Sequence, residues 1–426
     1  MKRRRVHNLH SLKASVRTRG RSFRVASRGA MLLLLAIIAC SSCRHDRATA
    51  PPSPPATVGV EPLPQPQPPP PPPPPPAPAP PAGSPGARSA RARPPAANTA
   101  VVRVFFGTDR NIVSRENARF GDDAADLGDG LTTGWCAVSV PLAAHRIGYI
   151  ERPTFWTLRV ADWYENPDRH FVITERTIAD ERSFWPALSE VVNRSSGKQV
   201  LLFVHGYNVG FDDAVYRAAQ LALDLRFQGA TALYSWPSNG RVLRYVADKD
   251  RSLATVGSFK RFLRDLSQRS GAATINIIAH SMGNNALVHA LAELAADPSQ
   301  PVPHFRQIVM AAPDVDRREF NRLATAFASS ADHVTLYAAD NDRAIGASDS
   351  LHGAPRIGEA NPMFLLKGID SGDASMVIKG FLKHSYFADP RVLDDIERVL
   401  GGQGLPRFGL AGVPSDDGAQ YWRFRP

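Results

Sequence analysis

Residues 275–291 read INIIAHSMGNNALVHAL, and at their centre stands Ala279-His280-Ser281-Met282-Gly283. An apolar β-type run precedes the serine and an apolar helical run follows it, so Ser281 stands at a strand-to-helix joint. That is the place of the nucleophile in a Gly-x-Ser-x-Gly elbow, with alanine at the first glycine. The flanking positions need only be small, because strand and helix pack closely at this turn. Ala279 adds one methyl group, and Gly283 keeps the second glycine. A serine hydroxyl becomes a nucleophile only beside a base, and the base needs an acid to fix its tautomer. Both types follow in the chain. Asp342 lies in Asp340-Asn341-Asp342-Arg343, and His384 in Lys383-His384-Ser385-Tyr386. In these roles His384 takes the Ser281 proton and returns it to the leaving group, while Asp342 holds the imidazole. Asp340 and Asp314 compete with Asp342 for the acid. His352 and His289 compete with His384 for the base. Asp316 reads as a helix cap in Asp-Arg-Arg-Glu, and His280 points its side chain away from that of Ser281.

These residues need a scaffold that gathers them. The expected strands are 101–106, 135–140, 170–174, 199–204, 231–236, 274–279, 307–311, 333–339 and 363–368, with helical stretches near 180–194, 212–227, 252–269, 283–295, 317–329 and 390–400. Phe259, Phe262, Leu263 and Leu266 repeat at i, i+3, i+4, i+7, one buried helix face. Strands alternating with helices imply a mainly parallel sheet flanked by helices, and in such sheets ligands bind beyond the carboxyl ends of the strands. Strand 199–204 ends in His205-Gly206-Tyr207-Asn208, which resembles the His-Gly element of α/β-hydrolases. The backbone N–H groups of Tyr207 and Met282 would then bind the oxyanion, each such donor contributing about 2.7–4 kcal/mol. Strands 307–311 and 333–339 leave space between them for one helix and no large cap domain. The site is then shaped by segments 107–165 and 237–252. Within the latter, Arg241, Arg244 and Lys249 read most simply as solvated loop charge, and otherwise as contacts to an anionic substrate. The final AQYWRFRP is expected to fold back as a short edge strand.

Thr108-Asp109-Arg110, VLLFVHGYN, YSWPS, IIAHSMGN, AAPDVD, NDRA and KHSYF, in this order, resemble bacterial α/β-hydrolases known only as a domain of unknown function and grouped with esterases and lipases. The resemblance covers roughly residues 101–400. It implies the α/β-hydrolase fold and the triad Ser281, Asp342 and His384, and it implies no particular substrate. The expected activity is hydrolysis of a small or lipid-like carboxylic ester through an acyl-enzyme. A transacylase or amidase shares that intermediate, and a non-catalytic envelope scaffold would keep the fold without the chemistry.

The net charge of +11 is unevenly spread: twelve Lys and Arg face one acid within residues 1–50. From residue 101 onward the chain sums to −2 and carries no basic stripe interleaved with aromatics, so no nucleic-acid partner is expected. The basic leader precedes Met31–Ala39, an apolar run far shorter than the roughly 20 residues of a membrane span. It reads as a signal peptide over 1–39. Ile37-Ile38-Ala39-Cys40 resembles a lipobox, which would make Cys40 a lipidation site. Ser41 after it would direct an exported lipoprotein to the outer membrane, facing the periplasm. Residues 51–95 hold 22 of the 37 prolines and read as an extended polyproline spacer. The expected division is a lipid-anchor site and Pro-rich linker over 40–98, a hydrolase domain over 99–402 and a C-terminal extension over 403–426. Cys136 reads as a small buried hydrophobe. No Cys/His spacing suits a metal, and no cofactor is expected.

Overall fold

A computed structural model describes residues 98–426 except 126–129, 154–164, 239–244, 326–329, 341–354, 378–385 and 416–417. The expected signal peptide, Cys40 and the proline-rich segment therefore lie outside the described residues. The chain begins with β1 (Thr99–Thr108), the hairpin strands β2 (Arg110–Ser114) and β3 (Arg119–Ala124), β4 (Thr132–Pro141) and β5 (Val172–Ala179). Next come α1 (Glu181–Arg194), β6 (Gln199–Val204), α2 (Phe211–Asp224), β7 (Ala230–Ser235), α3 (Tyr245–Ala254), α4 (Val256–Arg269) and β8 (Thr274–His280). The remainder is α5 (Gly283–Ala296), β9 (Phe305–Ala311), α6 (Arg317–Leu323), β10 (Ala331–Ala338), β11 (Ile369–Asp373), a 3₁₀ turn (Tyr386–Ala388), α7 (Pro390–Leu400), β12 (Leu410–Pro414) and β13 (Gln420–Phe424).

Among the described residues, one 11-stranded sheet runs β12-β13-β11-β10-β9-β8-β6-β7-β1-β4-β5. It is parallel from β13 to β1 and antiparallel at both margins. β6 (QVLLFV) and β8 (TINIIAH) are near-continuous apolar runs because both faces of a central parallel strand are covered. Alternate residues of β6 serve opposite cores: Val200, Leu202 and Val204 pack with α1, α4 and α5, whereas Leu201 and Phe203 pack with α2 and α7. β6 lies between β7 and β8, so the chain leaves it toward one side and later returns on the other. Loops diverge at such a reversal and open a crevice at the carboxyl ends.

The mainly parallel sheet flanked by helices agrees with the sequence, and four features depart from it. The strand expected at 363–368 is irregular chain, and the strand is Ile369–Asp373. The apolar run misleads because Phe364 anchors a loop, edge-on to Phe320 at 5.5 Å, while the polar IDSGD is made a strand by pairing between β10 and β13. The helix expected over 252–269 is two helices parted at Thr255, whose Oγ1 is 2.7 Å from the Tyr234 hydroxyl. The face Phe259, Phe262, Leu263 and Leu266 is fully buried, as its spacing predicts. At the C-terminus β13 is inserted beside β11, and β12 takes the edge. The β2–β3 hairpin has no counterpart among the expected strands. Cys136 is buried and free, its thiol pushed up to about 12 by burial.

The loop after β4 is pinned to α2 by His145. Its Nδ1 is 3.0 Å from Glu151 Oε2 and its Nε2 2.6 Å from Asp224 Oδ1, and Asp224 also accepts from the Gly148 amide at 2.7 Å. Burial alone would lower the His145 pKa, but hydrogen bonds to Asp224 and Glu151 outweigh it and raise the value above 6.5. A raised histidine pKa stabilises the fold fully below about 6.5, and that contribution disappears as pH rises through the folded-state value. Thermal unfolding followed from pH 6 to pH 9 should therefore show a fall in Tm that His145→Gln lacks. Parallel curves for the two proteins would contradict this assignment.

Candidate active site

β8 leaves the sheet at His280, and the next residue, Ser281, has φ +50°. A non-glycine residue in this left-handed region costs roughly 1–3 kcal/mol, so its surroundings must hold it there. The Ser281 N–H donates to the Ala311 carbonyl at 2.9 Å, and the Ser281 carbonyl accepts from the amides of Asn284 at 3.0 Å and Asp314 at 3.2 Å. Asn284, fully buried in the first turn of α5, adds side-chain donation from Nδ2 to the carbonyls of Ala279 at 3.0 Å and Ser281 at 3.1 Å. The elbow is thus tied to its own strand, to its own helix and to β9.

The end of β6 packs backbone to backbone on this turn. A Cβ on Gly206 would stand 2.8 Å from Ser281 Cβ and His280 Nδ1, and one on Gly283 would fall on the His205 carbonyl oxygen. Only glycine permits either approach. Tyr207 and Met282 follow this contact on the adjoining ends of β6 and β8. Met282 precedes α5, and its N–H enters no backbone hydrogen bond among the described residues. The Tyr207 ring meets Tyr245 of α3 at 5.4 Å, so α3 walls this side.

His205 is no rival base. It is 1% exposed and stacked on Trp236 at 5.3 Å. Burial and the nearby Arg110 charge push its pKa down to about 3. Its Nδ1 lies 2.8 Å from the Gly206 carbonyl, and its Nε2 lies 3.2 Å from Ser235 Oγ and 3.4 Å from Arg110 Nη2. A neutral ring with the proton on Nδ1 satisfies all of these contacts. Arg110, itself fully buried, is the hub. It donates to Ser235 Oγ at 2.9 Å and to the carbonyls of Val209 at 2.7 Å, Gly121 at 3.1 Å and Ser238 at 3.2 Å, with Asp122 at 3.5 Å. Desolvation lowers its pKa to about 10, which leaves it charged at neutral pH. Its five fixed donors bind the oxyanion-side loop, the β2–β3 hairpin and the end of β7 into one unit.

Asp342, His384 and His352 lie outside the described residues. Of their neighbours in sequence, Phe387 is placed beside the elbow. Tyr386 donates its hydroxyl to the Tyr337 carbonyl of β10 at 2.8 Å, and Phe387 packs 4.4 Å from the His280 ring. Asp340 is exposed, its amide donating to Ser375 Oγ at 2.9 Å. Asp314 is buried beneath the elbow, and its carboxylate already accepts from the Tyr245 hydroxyl and lies 3.4 Å from Arg356 Nε. His289 faces Glu319 on α6 at 3.2 Å, away from Ser281. The Asp316 side chain caps α6, accepting from the Arg318 and Glu319 amides at 2.8 and 3.0 Å. Glu319 faces His289 instead of completing the capping box. Arg241 and Arg244 lie outside the described residues, and Lys249 is half-buried on α3. Among the described residues, no group of three His, Cys, Asp or Glu is placed to hold a metal ion.

The profile of a family described as alpha/beta hydrolase of unknown function, DUF900, matches residues 180–401, more than half of the chain. The chain belongs to this α/β-hydrolase family. The uncharacterized protein alr1448 of Nostoc sp. is 24% identical over 179 residues, covering 32% of this chain and 47% of that protein. The chain thus spans about half the length of the curated relative it matches. A solved structure of a predicted CIB-like hydrolase from Thermoplasma acidophilum is 14% identical, with TM-score 0.31, covering 54% of this chain and 91% of that one.

Two residues that hold the hydrolase site were not singled out in the sequence. Asn284 carried a faint signal, a polar residue in the first turn of an apolar helix. Arg110 carried only its place in Thr108-Asp109-Arg110. Asn284→Asp replaces the Nδ2 donor with a carboxylate oxygen facing backbone carbonyls. It should cost about 2–4 kcal/mol in urea unfolding, at the high end for a buried hydrogen bond because charge is added. A loss below about 0.5 kcal/mol would remove Asn284 from the account of the elbow.

Proposed function

We propose that this hydrolase cleaves carboxylic esters through an acyl-enzyme on Ser281. The observation that carries the reading is the left-handed Ser281, locked at the β8–α5 joint and packed through Gly206 against the loop bearing Tyr207. In the proposed cycle His384, oriented by Asp342, removes the Ser281 hydroxyl proton as Oγ attacks the ester carbonyl. The Tyr207 and Met282 amides hold the oxyanion, placed before charge develops and so needing no reorganisation. Collapse expels the alkoxide, which takes the proton from His384. Water then attacks the acyl-enzyme, giving its proton to His384, and the second collapse releases the carboxylic acid and returns the proton to Ser281.

The same chain has features of a tethered enzyme. We propose that Cys40 is lipidated, that the proline run spaces the hydrolase from the membrane, and that the whole is an envelope lipoprotein. Ile37-Ile38-Ala39-Cys40 behind a basic leader supports this.

Short-chain p-nitrophenyl esters should give a burst of p-nitrophenol stoichiometric with enzyme, and Ser281→Ala should lower turnover by at least about a thousandfold. Turnover undiminished in that variant would overturn the serine mechanism. In cells fed an alkyne fatty acid, the full chain should take up label and Cys40→Ala should not. Equal labelling of both would overturn the tether.

A further inference from the structure

A cavity of about 240 Å³ lies beside the elbow, bounded by the oxyanion-side loop, α2, the loop after β4 and Phe387. Gly206 and His280, the neighbours of Tyr207 and Ser281, form its inner wall. At about 30 Å³ for each water in the liquid, it has room for a group of roughly eight heavy atoms. Phe203 and Phe387 make it apolar on two sides.

Its two guanidiniums are weakly paired. Arg217 of α2 reaches in over the Phe387 ring, 5.6 Å from the centroid. Its Nη1 donates to Gln220 Oε1 at 2.8 Å and to the Gly148 carbonyl at 3.4 Å, both neutral acceptors. Among the described residues no carboxylate forms an ion pair with it. Asp224, on the same helix, is committed to His145 and the Gly148 amide. Burial lowers the Arg217 pKa to about 10, leaving it charged at neutral pH. Arg152 adds a second guanidinium, 4.1 Å over the Tyr216 ring, whose nearest acid is Asp213 at 3.6 Å, 72% exposed. Asp224 and Asp213 thus act on Arg217 only from beyond ion-pair distance, and Asp213, which lines the cavity beside Arg152, is largely solvated. A cation withdrawn from water without a carboxylate in direct contact gains from an anion in its pocket, and a guanidinium can grip a carboxylate with two parallel hydrogen bonds.

We propose that this cavity binds a carboxylate, so that the ester cleaved at Ser281 carries a second, anionic carboxyl group on a short apolar stem; the substrate assignment rests on the serine-hydrolase reading. The carboxylate can belong to the acyl or the alcohol part, and two probes separate these. Mono-p-nitrophenyl glutarate against p-nitrophenyl pentanoate tests the acyl side, and 4-carboxyphenyl butyrate against phenyl butyrate tests the alcohol side. For one pair, kcat/KM should favour the anionic ester at least tenfold, and Arg217→Met should bring that ratio close to one. Arg152→Met, at a site already 40% exposed and so tolerant of change, should lower the ratio in the same direction. Binding of monomethyl glutarate to Ser281→Ala protein, measured by calorimetry, separates the two claims. Binding that Arg217→Met weakens at least tenfold supports the pocket even if no ester is turned over. No anionic preference in either pair, or a preference and a calorimetric affinity that both survive Arg217→Met and Arg152→Met, would overturn it.

Discussion

The site depends on one backbone conformation, the left-handed Ser281 at the end of β8. Taken alone the conformation is unfavourable, and it persists because its carbonyl and amide are claimed by three different segments. Ala311 belongs to the neighbouring strand, Asn284 to the following helix and Asp314 to the loop after β9. A shift of any one of them would cost the others their hydrogen bonds. The two glycine contacts add a steric condition, since Gly206 and Gly283 let the ends of β6 and β8 meet without side chains between them. The serine and the Tyr207 and Met282 amides are consequently fixed together, which is what preorganised stabilisation of an oxyanion needs.

Arg110 does for the surrounding loops what Asn284 does for the turn. A buried guanidinium is costly unless its donors are satisfied, and here carbonyls from three segments satisfy them. Burial first, and then this charge, keep the adjacent His205 neutral. A histidine beside a candidate nucleophile would ordinarily be a prime candidate for the base. Here it is a structural ring, stacked on Trp236, whose lone pair faces Arg110 and Ser235. That removes His205 as a base, and the proposed cycle gives the role to His384.

What the sequence disclosed follows the range of the interactions involved. β6 and β8 were legible because burial on both faces demands an unbroken apolar run, and α4 because one buried face imposes a 3.6-residue period. Ser281 was legible because the elbow is a local motif bounded by small residues. β11 was not, since IDSGD becomes a strand only through its partners, and the apolar residues before it serve a loop. Arg110 was equally hidden: its acceptor Val209 is 99 positions away, and no local pattern announces such a contact. The cavity beside the elbow joins residues from the β4 loop, α2 and the 3₁₀ turn, which only the fold brings together.

If Ser281 is an activated nucleophile, covalent capture will show it. The full-length protein treated with a fluorophosphonate should gain one phosphonyl group, mapped by peptide mass spectrometry to Ser281, and heat-denatured protein should gain none. Failure of the folded protein to react, or a label on any residue other than Ser281, would contradict the account.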